Sequence, residues 1–225
     1  MAKKKKTTPP RKTAAQKKRA LALYDDLQAE YPDAHCELDY HNAHELLIAT
    51  ILSAQSTDTG VNKATPALFK KFPTPAHYAK STPEKIEKYI NTIGLFRNKA
   101  KSIHAAMTMI VEDFNGEVPD RMEDLLKLRG VARKTANVVL GNAFDKAEGV
   151  VVDTHVSRLA GRFNLTKQTD PKKIELDLMA LYPPDRWTML SHLLIFHGRR
   201  VCKARMKACS DHAICRKYRS GKCCS

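Results

Sequence analysis

Leu125-Leu126-Lys127-Leu128-Arg129-Gly130-Val131-Ala132-Arg133-Lys134-Thr135-Ala136-Asn137-Val138-Val139-Leu140 is the stretch on which the fold turns. Read physically, it is a helix, a tight turn at Gly130 and a second helix. Asp120 with Glu123 suits a capping box ahead of Leu125 and Leu126. The second helix, over residues 133–144, places Ala136, Val139, Leu140 and Ala143 on one apolar face. Its first backbone N–H groups have no partner within the helix and make an anion site. Arg129 and Arg133 add positive charge there. A phosphate of the DNA backbone suits such a site, although an ordinary αα-hairpin between two core helices shows the same pattern.

Helical signals continue on both sides. Leu47, Ile48, Ile51 and Leu52 share a face within 43–55, and Val61, Leu68 and Phe72 within 59–72. Thr82-Pro83-Glu84 reads as cap, first helical position and first-turn acid of a helix that ends at Gly94. Ile103, Met107, Ile110 and Phe114 mark another, which stops at Asn115-Gly116. Asp153 can cap a helix bearing Val156, Leu159 and Phe163, and Asp170-Pro171 opens one with Ile174, Leu178 and Leu181. A last long helix runs from about Asp185 to His197, and Gly149-Val150-Val151-Val152 is the only sheet-like run. The expectation is an all-α protein of about ten helices.

The chain has 225 residues, 43% of them apolar and 28% charged, enough for a real core and against wholesale disorder. No apolar run approaches the roughly 20 residues that span a bilayer, and Met1-Ala2-Lys3-Lys4-Lys5-Lys6 lacks a secretory apolar stretch. A soluble, intracellular protein without a membrane partner is expected, cytoplasmic and nucleoid-associated in a bacterium. The net charge of +15 sits at the ends. Residues 1–20 hold nine Lys/Arg and no acid, residues 199–225 nine Lys/Arg and one acid, and the middle is close to neutral. The partner this implies is a polyanion, nucleic acid first, held by phosphate contacts. Residues 1–20, with Pro9-Pro10 and few large apolar side chains, read as a disordered basic tail.

Of six cysteines, Cys36 stands alone, whereas Cys202, Cys209, Cys215, Cys223 and Cys224 crowd the last 24 residues. Clustered thiols without an export signal point to metal rather than disulfides. Four thiolates hold zinc or an iron–sulfur cluster, and the spacing alone does not choose; the lack of a Cys-x2-Cys pair favours iron–sulfur over zinc. A loose basic tail with free thiols is the remaining alternative.

Several motifs occur in a fixed order: Leu52-Ser53-Ala54-Gln55-Ser56-Thr57-Asp58 with Val61-Asn62-Lys63-Ala64-Thr65; Thr92-Ile93-Gly94-Leu95-Phe96; the Gly130 hairpin; Val152-Asp153-Thr154-His155-Val156; Phe196-His197-Gly198-Arg199; and Cys202-Lys203-Ala204-Arg205. From about residue 20 to 215 the chain resembles the endonuclease III family of helix–hairpin–helix DNA glycosylases. The resemblance implies a bifunctional glycosylase and abasic-site lyase. Such an enzyme removes oxidised pyrimidines from duplex DNA, then cleaves the strand. The family's catalytic lysine falls on Lys134 and its catalytic aspartate on Asp153. Gln55 and Leu95 match its intercalating pair, and Asp58 and His155 further DNA-binding positions, beside the hairpin residues Arg129, Gly130, Val131, Ala132 and Arg133.

The chemistry accounts for those residue types. An amine displaces the base at C1′ and forms a Schiff base. The imine acidifies the C2′ proton, so the 3′ phosphate leaves by elimination. A free lysine has a pKa of about 10.4, which leaves roughly one part in two or three thousand neutral at pH 7, an offset of about 4–5 kcal/mol. A helix N-terminus and Arg133 both disfavour the ammonium form. Asp153 suits proton transfer and stabilisation of positive charge on the sugar, as well as an N-cap. A stacked base is out of reach, so the nucleotide must flip out. An amide such as Gln55 can then pair the orphaned base while Leu95 wedges the stack.

Three features depart from the family pattern. Leu-Pro-Gly-Val-Gly has become Leu128-Arg129-Gly130-Val131-Ala132, and the added methyl threatens close approach of a phosphate. In the pattern Cys-x6-Cys-x2-Cys-x5-Cys, the third position is His212 and the fourth Tyr218. The ligands of a 4Fe-4S cluster are therefore redrawn as Cys202, Cys209, Cys215 and Cys223, with Cys224 or His212 as substitutes; zinc or no cluster is the alternative. Lys134 and Asp153 lie one residue further apart than the family implies, which a longer loop over 145–149 absorbs.

Rival readings are a related glycosylase of different base specificity and a non-catalytic helix–hairpin–helix DNA-binding protein. An adenine-mismatch enzyme lacks the hairpin lysine and carries a further C-terminal domain, whereas this sequence has Lys134 and ends at Ser225. An oxidised-guanine enzyme normally lacks the cysteines. The expected layout is a basic tail over 1–20, an N-terminal helix over 21–37 packing with a cluster domain over 148–225, and a central helical domain over 38–147. DNA lies in the cleft between the two helical domains, and the protein acts as a monomer on duplexes with damaged pyrimidines or abasic sites.

Overall fold

The computed structural model describes residues 9–205 and 211–219, and it is helical throughout: among the described residues there is no strand. In chain order the helices are α1 (Ala14–Glu30), α2 (Ala43–Ser53), α3 (Asp58–Lys71), α4 (Pro75–Ala79), α5 (Pro83–Ile90), α6 (Phe96–Asp113), α7 (Met122–Leu125), α8 (Arg133–Ala143), α9 (Thr154–Arg162), α10 (Pro171–Leu181), α11 (Trp187–Arg200) and α12 (Ala213–Tyr218). The chain divides into two compact units. One is Cys36–Glu148; the other joins the described residues up to His35 with those from Gly149 onward. None of these helices is long and apolar enough to cross a membrane.

In the unit Cys36–Glu148, α2 is the central helix. Leu46, Leu47, Ile48, Ala49, Ile51 and Leu52 are all buried, so the helix is covered around its whole circumference. Asn42 starts it by accepting the Glu45 N–H at 3.0 Å. Around it α3 contributes Val61 and Leu68, α5 Ile86 and Ile90, α6 Ile103, Met107 and Ile110, and α8 Ala136, Val139 and Leu140. Each such leucine or isoleucine contributes about 1.5–3 kcal/mol on burial.

The other unit has its own core of Leu23, Leu27, Val156, Leu159, Phe163, Ile174, Leu178, Leu190, Leu193 and Leu194. Asp170 caps α10 by accepting the Lys173 N–H at 3.1 Å, with Pro171 in the first turn.

Several sequence expectations are corrected here. The N-terminal helix starts at Ala14, not 21, so residues 14–20 are not a disordered tail. Thr13 and Gln16 form a capping box, Lys12 Nζ donates to buried Asp177 at 2.5 Å, and Arg19 donates to the carbonyls of Phe163 (2.8 Å) and Tyr218 (2.6 Å). Asp120 does not cap α7. Arg121 is the N-cap without a side-chain bond, and Asp120 pairs with Lys146 instead. The helix opened by Pro83 stops at Ile90, four residues before Gly94. The run 149–152 forms no strand; the Val151 N–H is taken by Ser191 Oγ at 3.0 Å. The short helices α4 and α12 lacked enough periodicity to be anticipated.

Candidate functional site

The hairpin is built around one left-handed residue. Leu128 N–H donates to Leu125 O (3.1 Å) and Val131 N–H to Leu128 O (3.2 Å), while Gly130 between them has φ +84°. Leu128 and Val131 are buried and anchor the turn; Arg129 and Gly130 face solvent. A Cβ on Gly130 would lie 2.9 Å from Ser102 Cβ and 3.2 Å from Ser102 Oγ, so glycine is required by conformation and by space. α8 then starts at Arg133 from an N-cap, Ala132, that offers no side-chain acceptor to the first N–H groups. Ala132 has φ −96° and ψ 170°, extended backbone that any residue adopts. Alanine in place of the family's glycine therefore brings no backbone strain, and only its methyl bears on an incoming phosphate. Lys134 is the second residue of α8 and is exposed. Arg133 Nη2 donates to Glu148 O at 3.3 Å. Asp145 closes α8 in the left-handed region, and the Lys146 N–H returns to Leu140 O at 2.9 Å, so the loop that follows starts from an ordered cap.

Gln55 and Leu95 are also in this unit, and both are exposed with positive φ, 55° and 59°. Their loops touch: a Cβ on Gly94 would lie 3.6 Å from Gln55 O and 3.8 Å from Ser56 Oγ. Asp58, partly buried, is the first residue of α3, whose cap is Thr57, accepting the Gly60 N–H at 3.1 Å.

Asp153 and His155 belong to the other unit. Asp153 Oδ1 accepts the Val156 N–H at 2.8 Å and so caps α9. His155 Nδ1 lies 3.1 Å from Arg158 Nη2. A guanidinium only donates, so Nδ1 accepts and the ring proton of a neutral His155 resides on Nε2. Arg158 also holds Gly198 O (2.9 Å) and Cys202 O (3.2 Å). A Cβ on Gly198 would fall 3.0 Å from His155 Nδ1 and 3.1 Å from Arg158 Nη2, so the close approach of α11 to α9 needs glycine there.

Of the expected metal ligands, Cys209 and Cys223, with the substitute Cys224, lie outside the described residues. Cys202 and Cys215 are fully buried. The Cys215 hydrogen bond, opposed by burial and helped by Arg162, holds the Cys202 thiol down at about 6. Arg162 Nη1 is 3.0 Å from Cys202 Sγ and donates to the carbonyl of Lys203 (2.9 Å), and its Nη2 donates to that of Ala204 (3.4 Å). Two buried sulfurs, with Cys202 drawn towards the thiolate, fit a thiolate-ligated group. Among the described residues no three His, Cys, Asp or Glu side chains converge as a metal site. His212 is engaged as the cap of α12, with Ile214 N–H on Nδ1 and Glu30 on Nε2, each at 3.3 Å.

Sequence reasoning missed three groups around these residues. His197 is buried between Cys215 Sγ (3.2 Å) and the Tyr31 hydroxyl (2.9 Å), and burial, with His212 close by, pushes it down to about 4. Arg158 and Arg162 follow at positions i+3 and i+7 from His155, the one signal available to find them. Lys99 is buried although charged, and it falls on the apolar stripe with Ile103, Ala106 and Ile110.

The chain is similar to known DNA repair proteins. Residues 48–184 match the family model of HhH-GPD superfamily base excision DNA repair proteins. A Synechocystis protein named endonuclease III is 54% identical over 200 residues, 89% of this chain and 91% of that protein. The Bacillus subtilis endonuclease III is 41% identical over 88% of this chain and 90% of its own length. A solved structure of a trapped endonuclease III–DNA covalent intermediate superposes with a TM-score of 0.83 at 42% identity, covering 88% of this chain and 93% of that one.

Proposed function

Because the chain belongs to the endonuclease III family of the HhH-GPD base excision DNA repair superfamily, we propose that it excises oxidised pyrimidines from duplex DNA and cleaves the strand at the resulting abasic site. It is a DNA glycosylase with abasic-site lyase activity. The observation that carries the assignment of residues is Lys134: an exposed amine on the first turn of a helix whose cap leaves its N–H groups to an anion.

In this reading the turn at Arg129–Arg133 takes a backbone phosphate on the N–H groups of α8, which sets the register of the DNA against Lys134. Gln55 and Leu95 fill the stack as the damaged nucleotide turns outward, with Asp58 and His155 supporting the DNA; His155 offers its Nε2–H as donor. Neutral Lys134 Nζ attacks C1′, the glycosidic bond breaks, and the base leaves with the bonding pair and takes up a proton. Asp153 receives the proton shed by the attacking amine and stabilises the positive charge on the sugar. The ring opens to the Schiff base, a C2′ proton is removed, and the 3′ phosphate departs with the C3′–O pair. Water then releases Lys134.

Cys202 and Cys215, together with Cys209 and Cys223, would hold a 4Fe-4S cluster, with zinc as the alternative. When bound, such a group supplies a rigid thiolate-ligated centre for the basic C-terminal residues. The place of action is chromosomal DNA, in a bacterium the cytoplasm at the nucleoid.

The test is borohydride reduction of the full chain mixed with an abasic duplex. A covalent adduct that disappears in Lys134→Ala, with duplex binding kept, is the expected result. Binding without any adduct in the unaltered chain refutes it and leaves a non-catalytic DNA-binding protein.

A further inference from the structure

Five exposed non-glycine residues hold left-handed backbone; three are asparagine or aspartate, and the other two are Gln55 and Leu95, the latter a branched hydrophobe 57% exposed. Left-handed backbone at a non-glycine residue costs about 1–3 kcal/mol and persists only where the surroundings hold it. Near both tips lies one unusual group. Lys99 is 6% exposed, and its Nζ donates to Leu52 O at 2.9 Å and Ser56 Oγ at 3.0 Å. Those acceptors lie three residues before and one after Gln55. Its backbone N–H donates to Leu95 O at 3.1 Å. One residue is thus bonded to the Leu95 tip through its main chain and to the Gln55 loop through its side chain, and Gly94 lies against that loop, close enough that an added Cβ would be in van der Waals contact with Gln55 O.

Burying an ammonium is expensive unless its donors are satisfied, and a methionine would fill the same space without that penalty. Burial alone lowers the Lys99 pKa, with no carboxylate opposing the shift. The charge is therefore retained for what it holds. Only a long side chain with several N–H donors reaches a carbonyl and a hydroxyl on the far loop at once.

We propose that Lys99 is a positioning residue that locks the Gln55 loop to the Leu95 loop, so that both tips enter the duplex as one wedge. This rests on the reading above that Gln55 and Leu95 fill the stack. Without Lys99 each tip keeps its chemistry but loses its partner's register. Opening of the stack then suffers, while chemistry on an already extruded sugar does not.

The experiment uses the full chain and a duplex with an oxidised pyrimidine opposite 2-aminopurine, whose fluorescence reports unstacking. Lys99→Met is expected to reduce the fluorescence rise and slow single-turnover excision by about tenfold to a hundredfold, the upper figure being the scale of a misplacement near 1 Å. Cleavage of a single-stranded abasic oligonucleotide, which has no stack to open, should stay within about twofold, unlike the uniform loss a folding defect gives. Ser56→Ala, which removes one acceptor, should act in the same direction and decides the matter if Lys99→Met does not fold. Adding Lys99→Met to Gln55→Ala should cost less than the two separate losses combined. An undiminished signal in Lys99→Met and Ser56→Ala, with a lost signal in Gln55→Ala and Leu95→Ala, overturns the role of Lys99 alone. An undiminished signal in all four overturns the wedge reading itself. Equal losses on duplex and single strand make Lys99 merely structural and also refute the proposal.

Discussion

Replacing Gly130 by alanine puts two separable strains on the hairpin. At φ +84° an L side chain pays the left-handed penalty, about 1–2 kcal/mol. The new methyl would also stand 2.9 Å from Ser102 Cβ, an atom fixed to the backbone of α6 that cannot swing away. Overpacking of that kind adds about 1–3 kcal/mol. The expected loss is about 2–5 kcal/mol, read as a shift of the urea transition followed by circular dichroism. A double-mutant cycle separates the parts. Ser102→Gly removes the clashing atom and should recover the packing share, leaving only the conformational one. Ser102→Ala keeps that Cβ and removes only the oxygen at 3.2 Å, so it should recover little. A loss below about 1 kcal/mol, or equal rescue by alanine and glycine at 102, refutes the reasoning.

Asp153→Asn separates capping from chemistry, because asparagine caps a helix as well as aspartate does but cannot accept a proton. Melting should move by only a few tenths of a kcal/mol while excision falls at least about a hundredfold; Asp153→Ala should in addition lose about 1 kcal/mol of stability. The two buried thiols should be indispensable for metal. Protein with iron and sulfide restored should be brown with broad visible absorbance, and Cys202→Ser or Cys215→Ser should bleach it. A colourless protein holding one equivalent of zinc would assign the site to zinc, and a metal-free one would remove the ligand assignment.

Local chemistry determined how much of the fold could be read beforehand. Asp170-Pro171 and the apolar face of 43–55 place a cap or a stripe within one or two turns, and α10 and α2 lie where those signals put them. The start of α1 escaped because its first two turns carry alanine and charge without a large apolar side chain. The residues that hold it, Asp177, Phe163 and Tyr218, are 144 to 199 positions away in the chain. Asp120 failed as a cap for a related reason: Lys146, 26 residues on, takes its carboxylate, and the four-residue α7 begins beyond its reach.

The same contrast applies to the candidate site. The need for glycine at 130 was visible because a turn between two apolar stripes is a local event, and the structure adds that Ser102 leaves no room for anything larger. Charges that turn inward were not visible. Lys99 reads as a solvated helix lysine until Leu52 and Ser56 arrive from 47 and 43 residues earlier, and Arg162 reads as a surface arginine until Cys202 comes within 3.0 Å from 40 residues later. Each sits one helical turn or more from a residue of the site and acts on it through the chain it holds. A substitution at either should therefore disturb geometry before it disturbs chemistry. Activity on intact duplex, set against activity on strands with nothing to open, is for that reason a better probe of Lys99 than any single rate.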